Sequence, residues 1–289
     1  MGVQNIAVLG SGTMGTGIAQ VAAMAGYRVK IYDIDEGILK KALARIEGNL
    51  AKGVQLGKVT EETRKSALEG ISVTTELKEA AFEADLVIEA VPEIMELKIK
   101  LFKELDEICP WHTVLATNTS TMSVTEIGAA TTRSDKIISM HFFNPAHIMK
   151  LVEVVCGLDT SEETKAVALE VAGKMGKETV LINEFPGFAT SRINCLIGNE
   201  AYYMLMEGVA SVEDIDKAIK LGLNHPMGPL ELTDLVGLDV RLRNLQYLHE
   251  NLGEKYRPCP LLVKYVKAGR LGRKSGRGFY DYTKEGKGS

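Results

Sequence analysis

Residues 6–33 have the sequence IAVLGSGTMGTGIAQVAAMAGYRVKIYD, in which two short apolar segments flank a glycine-rich turn and a longer apolar segment. Ile6–Leu9 is a short apolar run that ends at a glycine, which is typical of a buried strand. Met14–Ala25 is rich in Ala, Met, Ile and Val and is followed by a glycine, a pattern that predicts a capped helix. Arg28–Tyr32 alternates and carries β-branched residues, so it predicts a second strand. Together the three segments predict a β-α-β unit.

The turn between the first strand and the helix carries a G-x-G-x-x-G motif, Gly10-Ser11-Gly12-Thr13-Met14-Gly15. Gly10 permits a tight turn, Gly12 lets the backbone approach a pyrophosphate, and Gly15 lets helix and strand pack closely. The helix N-terminus then offers unpaired N–H groups and a positive dipole end to the phosphates. Asp33 ends the second strand, where a carboxylate accepts hydrogen bonds from the adenosine ribose and repels a 2′-phosphate. We therefore expect NAD rather than NADP, the alternative being a plain glycine turn beside a helix-capping aspartate.

The composition is that of an ordinary globular protein. The 289 residues suit one large or two moderate domains, and a formal charge of −4 gives no indication of a nucleic-acid or membrane-surface partner. No apolar run is long enough to span a bilayer, and no basic residue precedes Arg28, so we expect a cytoplasmic protein, the alternative being an organelle matrix. Because the four cysteines show no paired ligand spacing, we expect no metal site and no disulfide framework. They are Cys109, Cys156, Cys195 and Cys259.

Downstream, strand patterns alternate with helical ones as far as about Pro186. Apolar residues recur at helical spacing over 38–50, and a second helix is predicted from Thr60 to Leu68, which together indicate an inserted helical hairpin. Further strands are predicted at Leu86–Ala90, Thr113–Ala116, Ile137–Met140, Leu151–Val155 and Thr179–Ile182. Further helices are predicted at Glu96–Ile108 and Glu162–Met175.

After Pro186 the strand patterns disappear. The predicted fold is therefore α/β: a Rossmann-type doubly wound sheet with an inserted helical hairpin over residues 1–186, and an all-helical domain over 187–289 that ends in a polar tail at 284–289. Helices are predicted there at Arg192–Met206, Val212–Leu221, Pro229–Leu252 and Pro260–Ala268.

His141 is the leading candidate for proton transfer. It follows the strand predicted at Ile137–Met140, in the run HFFNP of residues 141–145, and residues past the carboxyl ends of parallel strands face the ligand crevice. A histidine there takes up a proton near neutral pH, as oxidation of an alcohol by nicotinamide requires. Glu153 lies on the next predicted strand, where its carboxylate can orient the imidazole and stabilise its cation.

Ser120 ends the run Asn118-Thr119-Ser120 after the preceding predicted strand and offers a hydroxyl to a substrate oxygen. Plainer alternatives remain open for all three candidates. His141 beside two phenylalanines is also typical of a hydrogen-bonded core residue, and Glu153 of an ion-pair partner. Ser120 would equally suit the cap of a helix at Thr121–Gly128.

From about Asn5 to Tyr282 the chain resembles the 3-hydroxyacyl-CoA dehydrogenase family, in particular its single-function bacterial members. The run HFFNP, followed by MKLVE at residues 149–153, is highly specific to that family. The other segments that carry the resemblance are Val8–Gly26, Glu89–Glu93, Ala116–Ser120, Pro186–Arg192, Asp214–Asp239 and Gly272–Tyr280.

The resemblance implies NAD-dependent oxidation of a short (S)-3-hydroxyacyl-CoA, such as 3-hydroxybutyryl-CoA, or the reverse reduction of acetoacetyl-CoA. It implies a base at His141 backed by Glu153, an active site between two domains, and a homodimer formed through the helical domain. The further residues it implies fall into three groups. Ser120 and Asn144 would contact substrate and cofactor, and Glu93, Lys98 and Lys274 the cofactor. Asn49 and Lys52 would contact the nucleotide end of CoA, the alternative for these two being a solvated helix face.

One departure from the family concerns the substrate pocket. Where much of the family has an asparagine before the arginine of this segment, the chain has Ser191, which reaches less far but still donates a hydrogen bond. Asn194, one helical turn on, is an alternative. Ala146 and His147 replace a more apolar pair, a change we expect at the pocket rim. Two other functions stay open: a dehydrogenase for another 3-hydroxy acid such as carnitine, and a non-catalytic dinucleotide-binding or structural relative.

Overall fold

The computed structural model describes residues 2–283, so the predicted polar tail at 284–289 lies outside the described residues. The chain divides into two compact units, residues 1–184 and 185–289.

The first unit is built on one eight-stranded sheet with strand order β3-β2-β1-β4-β5-β6-β7-β8. Its strands are β1 (Asn5–Leu9), β2 (Arg28–Tyr32), β3 (Ile71–Thr74), β4 (Leu86–Glu89), β5 (Val114–Thr117), β6 (Ile137–Phe142), β7 (Leu151–Cys156) and β8 (Glu178–Asn183). Its helices are α1 (Thr13–Met24), α2 (Glu36–Gln55), α3 (Glu61–Glu69), α4 (Leu77–Ala81), α5 (Met95–Ile108), α6 (Val124–Ala129) and α7 (Glu162–Lys174).

The predicted doubly wound α/β fold is confirmed. The strands from β3 across to β6 pair in parallel, and the central strands β4 and β5 are buried along their whole length. Such continuous burial is what helices on both faces of a parallel sheet impose. The chain leaves β1 for β2 on one side and β4 lies on the other, so a switch point of the topology falls between β1 and β4. Ligands of this fold bind in the crevice beyond that point.

The sequence misses the antiparallel part of the sheet. β6 runs on through His141 and Phe142 because β7 pairs with it in antiparallel fashion, with His141 opposite Glu153. The expectation that His141 lies just past the strand is therefore wrong: it is the fifth of six strand residues. β3 and α4 were not predicted either.

The helical hairpin is confirmed and its ends have the expected polar caps. The Asp35 carboxylate accepts the N–H groups of Gly37 and Ile38 at the start of α2. Thr60 accepts the Thr63 N–H at the start of α3, as its position in the sequence predicts. Because Asp35 is the cap, the alternative that Asp33 caps this helix is wrong.

The second unit is helical, as predicted, over the residues described. Gly237, with φ of 107°, divides the single helix expected at Pro229–Leu252 into two. The helices are α8 (Thr190–Met206), α9 (Val212–Gly222), α10 (Pro229–Val236), α11 (Leu238–Leu252) and α12 (Pro260–Lys267).

Candidate active site

Strands β1, β2, β4, β5 and β6 run in parallel, so their carboxyl ends meet at one side of the sheet, called the carboxyl edge below. β7 runs the other way and therefore begins there. This arrangement brings most candidates of the first unit to the carboxyl edge. The candidates at that edge are the glycine turn, Asp33, Glu93, Ser120, His141, Asn144 and Glu153. Only the candidates on α2 and α5 are not at that edge.

His141 and Glu153 form a buried pair. Nδ1 of His141 lies 2.7 Å from Oε2 of Glu153, whose side chain is fully buried, while His141 is 7% exposed. The two residues face each other across β6 and β7, which fixes their separation through the strand register. The Phe143 ring lies 4.6 Å from the imidazole, centroid to centroid, and is tilted by 45° to it. A carboxylate at Nδ1 holds the proton on that nitrogen and stabilises a cationic ring.

Ser120 lies just beyond β5, and its N–H donates to Oε1 of Glu93 at 2.9 Å. The alternative role of Ser120 as a helix cap is wrong. The following helix, α6, begins at Val124. Its cap is Ser123, whose hydroxyl accepts the Glu126 N–H. Nearby, Asn118 binds the Phe142 N–H through its amide oxygen at 2.8 Å, which ties the end of β5 to the end of β6.

The glycine turn has the form of a dinucleotide cradle. Gly10 has φ of 93°, and a Cβ there would lie 2.7 Å from the Ala90 oxygen. A Cβ on Gly15 would lie 1.7 Å from the Gly10 oxygen, so helix α1 packs directly on the turn. Gly12 is exposed, and a Cβ on it would meet nothing within 4 Å. Because α1 has no side-chain cap and no acidic residue in its first turn, its N–H groups suit a diphosphate.

Asp33 stabilises this turn as well as following β2. Its Oδ2 accepts both the N–H and the hydroxyl of Ser11 at 2.7 Å, and Ser11 is buried. The carboxylate therefore fixes the turn from the side on which the ribose is expected. Thr13 is exposed and Met14 half-buried at the start of α1.

Glu93 and Lys98 belong to a network of buried charges that also includes Glu89. Nζ of Lys98 lies 2.7 and 2.9 Å from the two oxygens of Glu89 and 3.1 Å from Oε2 of Glu93. Burial raises the pKa of Glu89, against the Lys98 ammonium. Burial also opposes ionisation of Glu93, but Lys98 and the hydrogen bonds from Thr119 and Ser120 outweigh it and lower the Glu93 pKa.

Two candidates lie on α2. Asn49 is half-buried, and its amide donates to Oε1 of Gln20 on α1 at 2.9 Å, so it is not on a fully solvated face. Lys52, one turn later, is exposed. Arg45, which was not a predicted site residue, donates to Oγ1 of Thr13 at 3.5 Å.

The segment after β6 contains Asn144, which is exposed, and Ala146, which is not. Ala146 is 1% exposed, and its Cβ would lie 3.0 Å from a Cβ on Gly17 of α1. Ala146 is thus packed against α1, and the expectation that it lies on a pocket rim is wrong. Burial and the nearby Lys177 lower the pKa of His147.

Ser191 and Lys274 lie in the helical unit. Ser191 is buried in the first turn of α8, after Gly187 and Phe188, which both have positive φ. Asn194 is half-buried one turn on. Nζ of Lys274, in a 3₁₀ turn, lies 2.5 Å from Oδ1 of Asp239 at the start of α11.

The chain matches two domain models of one protein family almost end to end. Residues 5–185 match the 3-hydroxyacyl-CoA dehydrogenase NAD binding domain, and residues 187–282 match the C-terminal domain of the same family. The chain belongs to the 3-hydroxyacyl-CoA dehydrogenase family. It is accordingly an NAD-dependent dehydrogenase, as the glycine turn and Asp33 predict.

Relatives of this dehydrogenase match over the whole chain. A probable 3-hydroxybutyryl-CoA dehydrogenase of Bacillus subtilis is 52% identical over 99% of both chains. The 3-hydroxybutyryl-CoA dehydrogenase of Clostridioides difficile is 48% identical, over 96% of this chain and 99% of the relative. The crystal structure of (S)-3-hydroxybutyryl-CoA dehydrogenase from Ralstonia eutropha superposes with a TM-score of 0.92 at 41% identity, covering 98% of this chain and 100% of the other.

In the dehydrogenase's network of buried charges, Glu89 is the member that was not predicted from the sequence. Two signals point to it. It is the one charged residue at the end of the apolar strand Leu86–Glu89, and Lys98 lies on the same face of α5 as buried Leu101 and Phe102. A charge on each of two buried faces indicates that the two are paired.

Among residues 2–283, no group of three or more His, Cys, Asp or Glu side chains could hold a metal ion. No helix in that range is long and apolar enough to cross a membrane.

Proposed function

We propose that this dehydrogenase interconverts (S)-3-hydroxybutyryl-CoA and acetoacetyl-CoA, with His141 as the base and Glu153 as its partner. The observation that carries the proposal is the buried 2.7 Å pair of His141 and Glu153 at the edge that also carries the dinucleotide cradle. The relatives named 3-hydroxybutyryl-CoA dehydrogenase support the substrate.

NAD fits the first unit in a defined direction. The open N–H groups at Gly12–Met14 would hold the pyrophosphate, and Asp33 the adenosine ribose. Between β1 and β6 lie three strand spacings, about 14 Å, so the glycine turn and Asp33 would hold the adenosine half and leave the carboxyl edge as far as His141 for the nicotinamide half. When bound, the cofactor supplies the hydride acceptor.

The protein's part in the oxidation is to remove a proton. Glu153 keeps the Nδ1 proton in place, so Nε2 is the basic nitrogen of neutral His141 and takes the proton of the 3-hydroxyl. Glu153 then stabilises the imidazolium. In the reverse direction the same imidazolium returns the proton to the 3-oxo group. Ser120 donates a hydrogen bond to the reacting oxygen, and Asn144 orients substrate and cofactor.

The CoA moiety and the thioester need their own partners. The family resemblance supports Asn49 and Lys52 of α2 as residues that would bind the nucleotide end of CoA, and Lys274 as a residue that would contact the cofactor. Ser191 takes the part of the family's asparagine in binding the substrate.

The decisive test is the oxidation of NADH by acetoacetyl-CoA, followed by absorbance. We expect turnover by the wild-type protein and a loss of roughly 10²–10⁴ in kcat for His141→Gln, with NADH affinity unchanged. His112→Gln, an exposed histidine far from the carboxyl edge, is the matched control and should keep full activity. Full activity in His141→Gln would refute the assignment.

Two rival functions give different results in the same assay. An enzyme for carnitine or a free 3-hydroxy acid would act on a substrate without CoA, and Lys52→Ala would leave its KM unchanged. A non-catalytic relative would bind NADH but show no turnover with any of these substrates. The buried His141–Glu153 pair favours the enzyme, because a purely structural protein gains little from a buried charge partner for a histidine.

A further inference from the structure

The network under the carboxyl edge begins at Glu89, whose side chain is fully buried. Its two oxygens accept hydrogen bonds from Lys98, from the Val91 N–H at 2.8 Å and from the Thr117 hydroxyl at 2.6 Å. Each of these partners is a donor, so the arrangement requires Glu89 as a carboxylate even though burial disfavours the charge.

Lys98 is the centre of the network and is itself only 1% exposed. An ammonium group has three N–H donors. Three carboxylate oxygens lie within 3.1 Å of Nζ, two from Glu89 and one from Glu93. The donors of Lys98 are thus fully used inside the protein, and little of its surface is left for a ligand.

Glu93 is the outward end of the network, with 27% of its side chain exposed. While Oε2 pairs with Lys98, Oε1 accepts the Ser120 N–H at 2.9 Å and the Thr119 hydroxyl. The charge pair in the core is therefore connected, through one side chain, to the backbone of the residue whose hydroxyl we place beside the substrate.

We propose that Glu89 and Lys98 are positioning residues, which hold Glu93 in place and through it Ser120, and that Lys98 does not contact the cofactor. This inference rests on the proposed function for the role of Ser120. It also departs from the role that the family resemblance implies for Lys98. The alternative is that Lys98 binds the dinucleotide directly and Glu89 only neutralises it.

The test compares Glu89→Gln and Lys98→Met with the wild-type dehydrogenase in two measurements. In steady-state kinetics with acetoacetyl-CoA, both variants should lose roughly 10- to 100-fold in kcat, because Ser120 is displaced. In direct titration with NADH, both should keep the wild-type dissociation constant to within about twofold. A Lys98→Met protein whose NADH affinity falls tenfold or more, or that keeps its kcat, would overturn the proposal.

A second buried ion pair in the same unit distinguishes a positioning role from a purely structural one. Arg133 and Asp106 form a comparably buried ion pair, 2.7 Å apart with side chains 4% and 8% exposed, at the end of α5. Arg133→Met should lower the melting temperature as Lys98→Met does, yet leave kcat unchanged. Equal losses of kcat in the two variants would show that destabilisation, not positioning, is the cause. If a single variant does not fold, the double variant Glu89→Gln/Lys98→Met, which leaves no unpaired Lys98 or Glu89 charge, replaces it.

A readout without substrate keeps this inference distinct from the proposed function. Amide hydrogen exchange of residues 117–122 should be faster in Glu89→Gln than in wild type, and unchanged in Arg133→Met. Failure of the wild-type protein to use acetoacetyl-CoA would refute the substrate assignment alone. Unchanged exchange in Glu89→Gln would refute the positioning role whatever the substrate is.

Discussion

At the scale of single residues, Gly12 and Gly15 separate ligand binding from folding. A Cβ on Gly15 would lie 1.7 Å from a backbone oxygen, whereas Gly12 has φ of −64° and open space around it. Gly12→Ala should therefore keep the wild-type melting temperature but lose at least about tenfold in NADH affinity, because the methyl group occupies the approach of the pyrophosphate. Gly15→Ala should lose both. Calorimetric titration and thermal unfolding measure the two effects, and wild-type NADH affinity in Gly12→Ala would contradict the assignment.

A second residue-scale prediction concerns pH and the pair Asp106–Arg133. Burial opposes the charge on Asp106, but the Thr132 N–H and the Arg133 guanidinium outweigh it and hold its pKa below the ordinary 3.8. A depressed folded pKa gives stability that is present above the unfolded pKa and is lost as pH falls through the folded value. Asp106→Asn should thus cost about 3 kcal/mol at pH 7. The difference in denaturant midpoint between variant and wild type should begin to shrink as the pH falls below about 3.8 and should continue to shrink down to the lower folded pKa. A difference that stays constant over this range would refute the charge argument.

At the scale of elements, Gly237 decides where α10 ends and α11 begins. Its φ of 107° is strained for any residue with a Cβ, and a Cβ there would lie 3.0 Å from both Oδ1 of Asp239 and Nζ of Lys274. Gly237→Ala should therefore destabilise the protein by about 1–2 kcal/mol. The control is Gly173→Ala, within helix α7 with nothing near its Cβ, which should be neutral or stabilising. Equal unfolding midpoints for the two variants would count against the strain.

The same glycine shows what the sequence could and could not predict about elements. Residues whose own neighbours determine their structure were placed well: β2 was predicted at Arg28–Tyr32 and Thr60 as the cap of α3. Gly237 interrupts an otherwise helical pattern, and only its backbone angle reveals the break. β3 was missed because its four residues gain strand structure from pairing with β2, a contact between distant parts of the chain.

The candidate site likewise has parts that the sequence predicts and parts that it does not. The glycine turn and the placing of Glu153 beside His141 follow from local motifs and from adjacent strands. The Glu89–Lys98 pair joins a strand end to a helix nine residues on, and its burial depends on how α5 packs, which periodicity does not specify. Likewise, the contact of Ala146 with Gly17 joins residues more than a hundred positions apart.

At the scale of the whole molecule, the helical unit carries large apolar side chains that are exposed to solvent. Leu221 and Leu223, at the end of α9, are 75% and 62% exposed, and Leu235 and Val236, at the end of α10, are 41% and 37% exposed. The two helices pack against each other. Large apolar side chains exposed on two helices that pack together are typical of a protein interface. We predict a homodimer formed through this surface, with a mass of about twice 31.5 kDa.

Charge placed on that surface should break the dimer. In a twofold interface each substitution occurs twice, so Leu221→Glu with Leu223→Glu adds four negative charges across one contact. Because both side chains are already exposed, the protomer should still fold and bind NADH. Analytical ultracentrifugation should then find a monomer, whereas Leu158→Glu, at an 83% exposed position of the sheet unit, should stay dimeric. A dimer that survives the double substitution would show that the contact lies elsewhere. A wild-type protein that sediments as a monomer would refute the dimer.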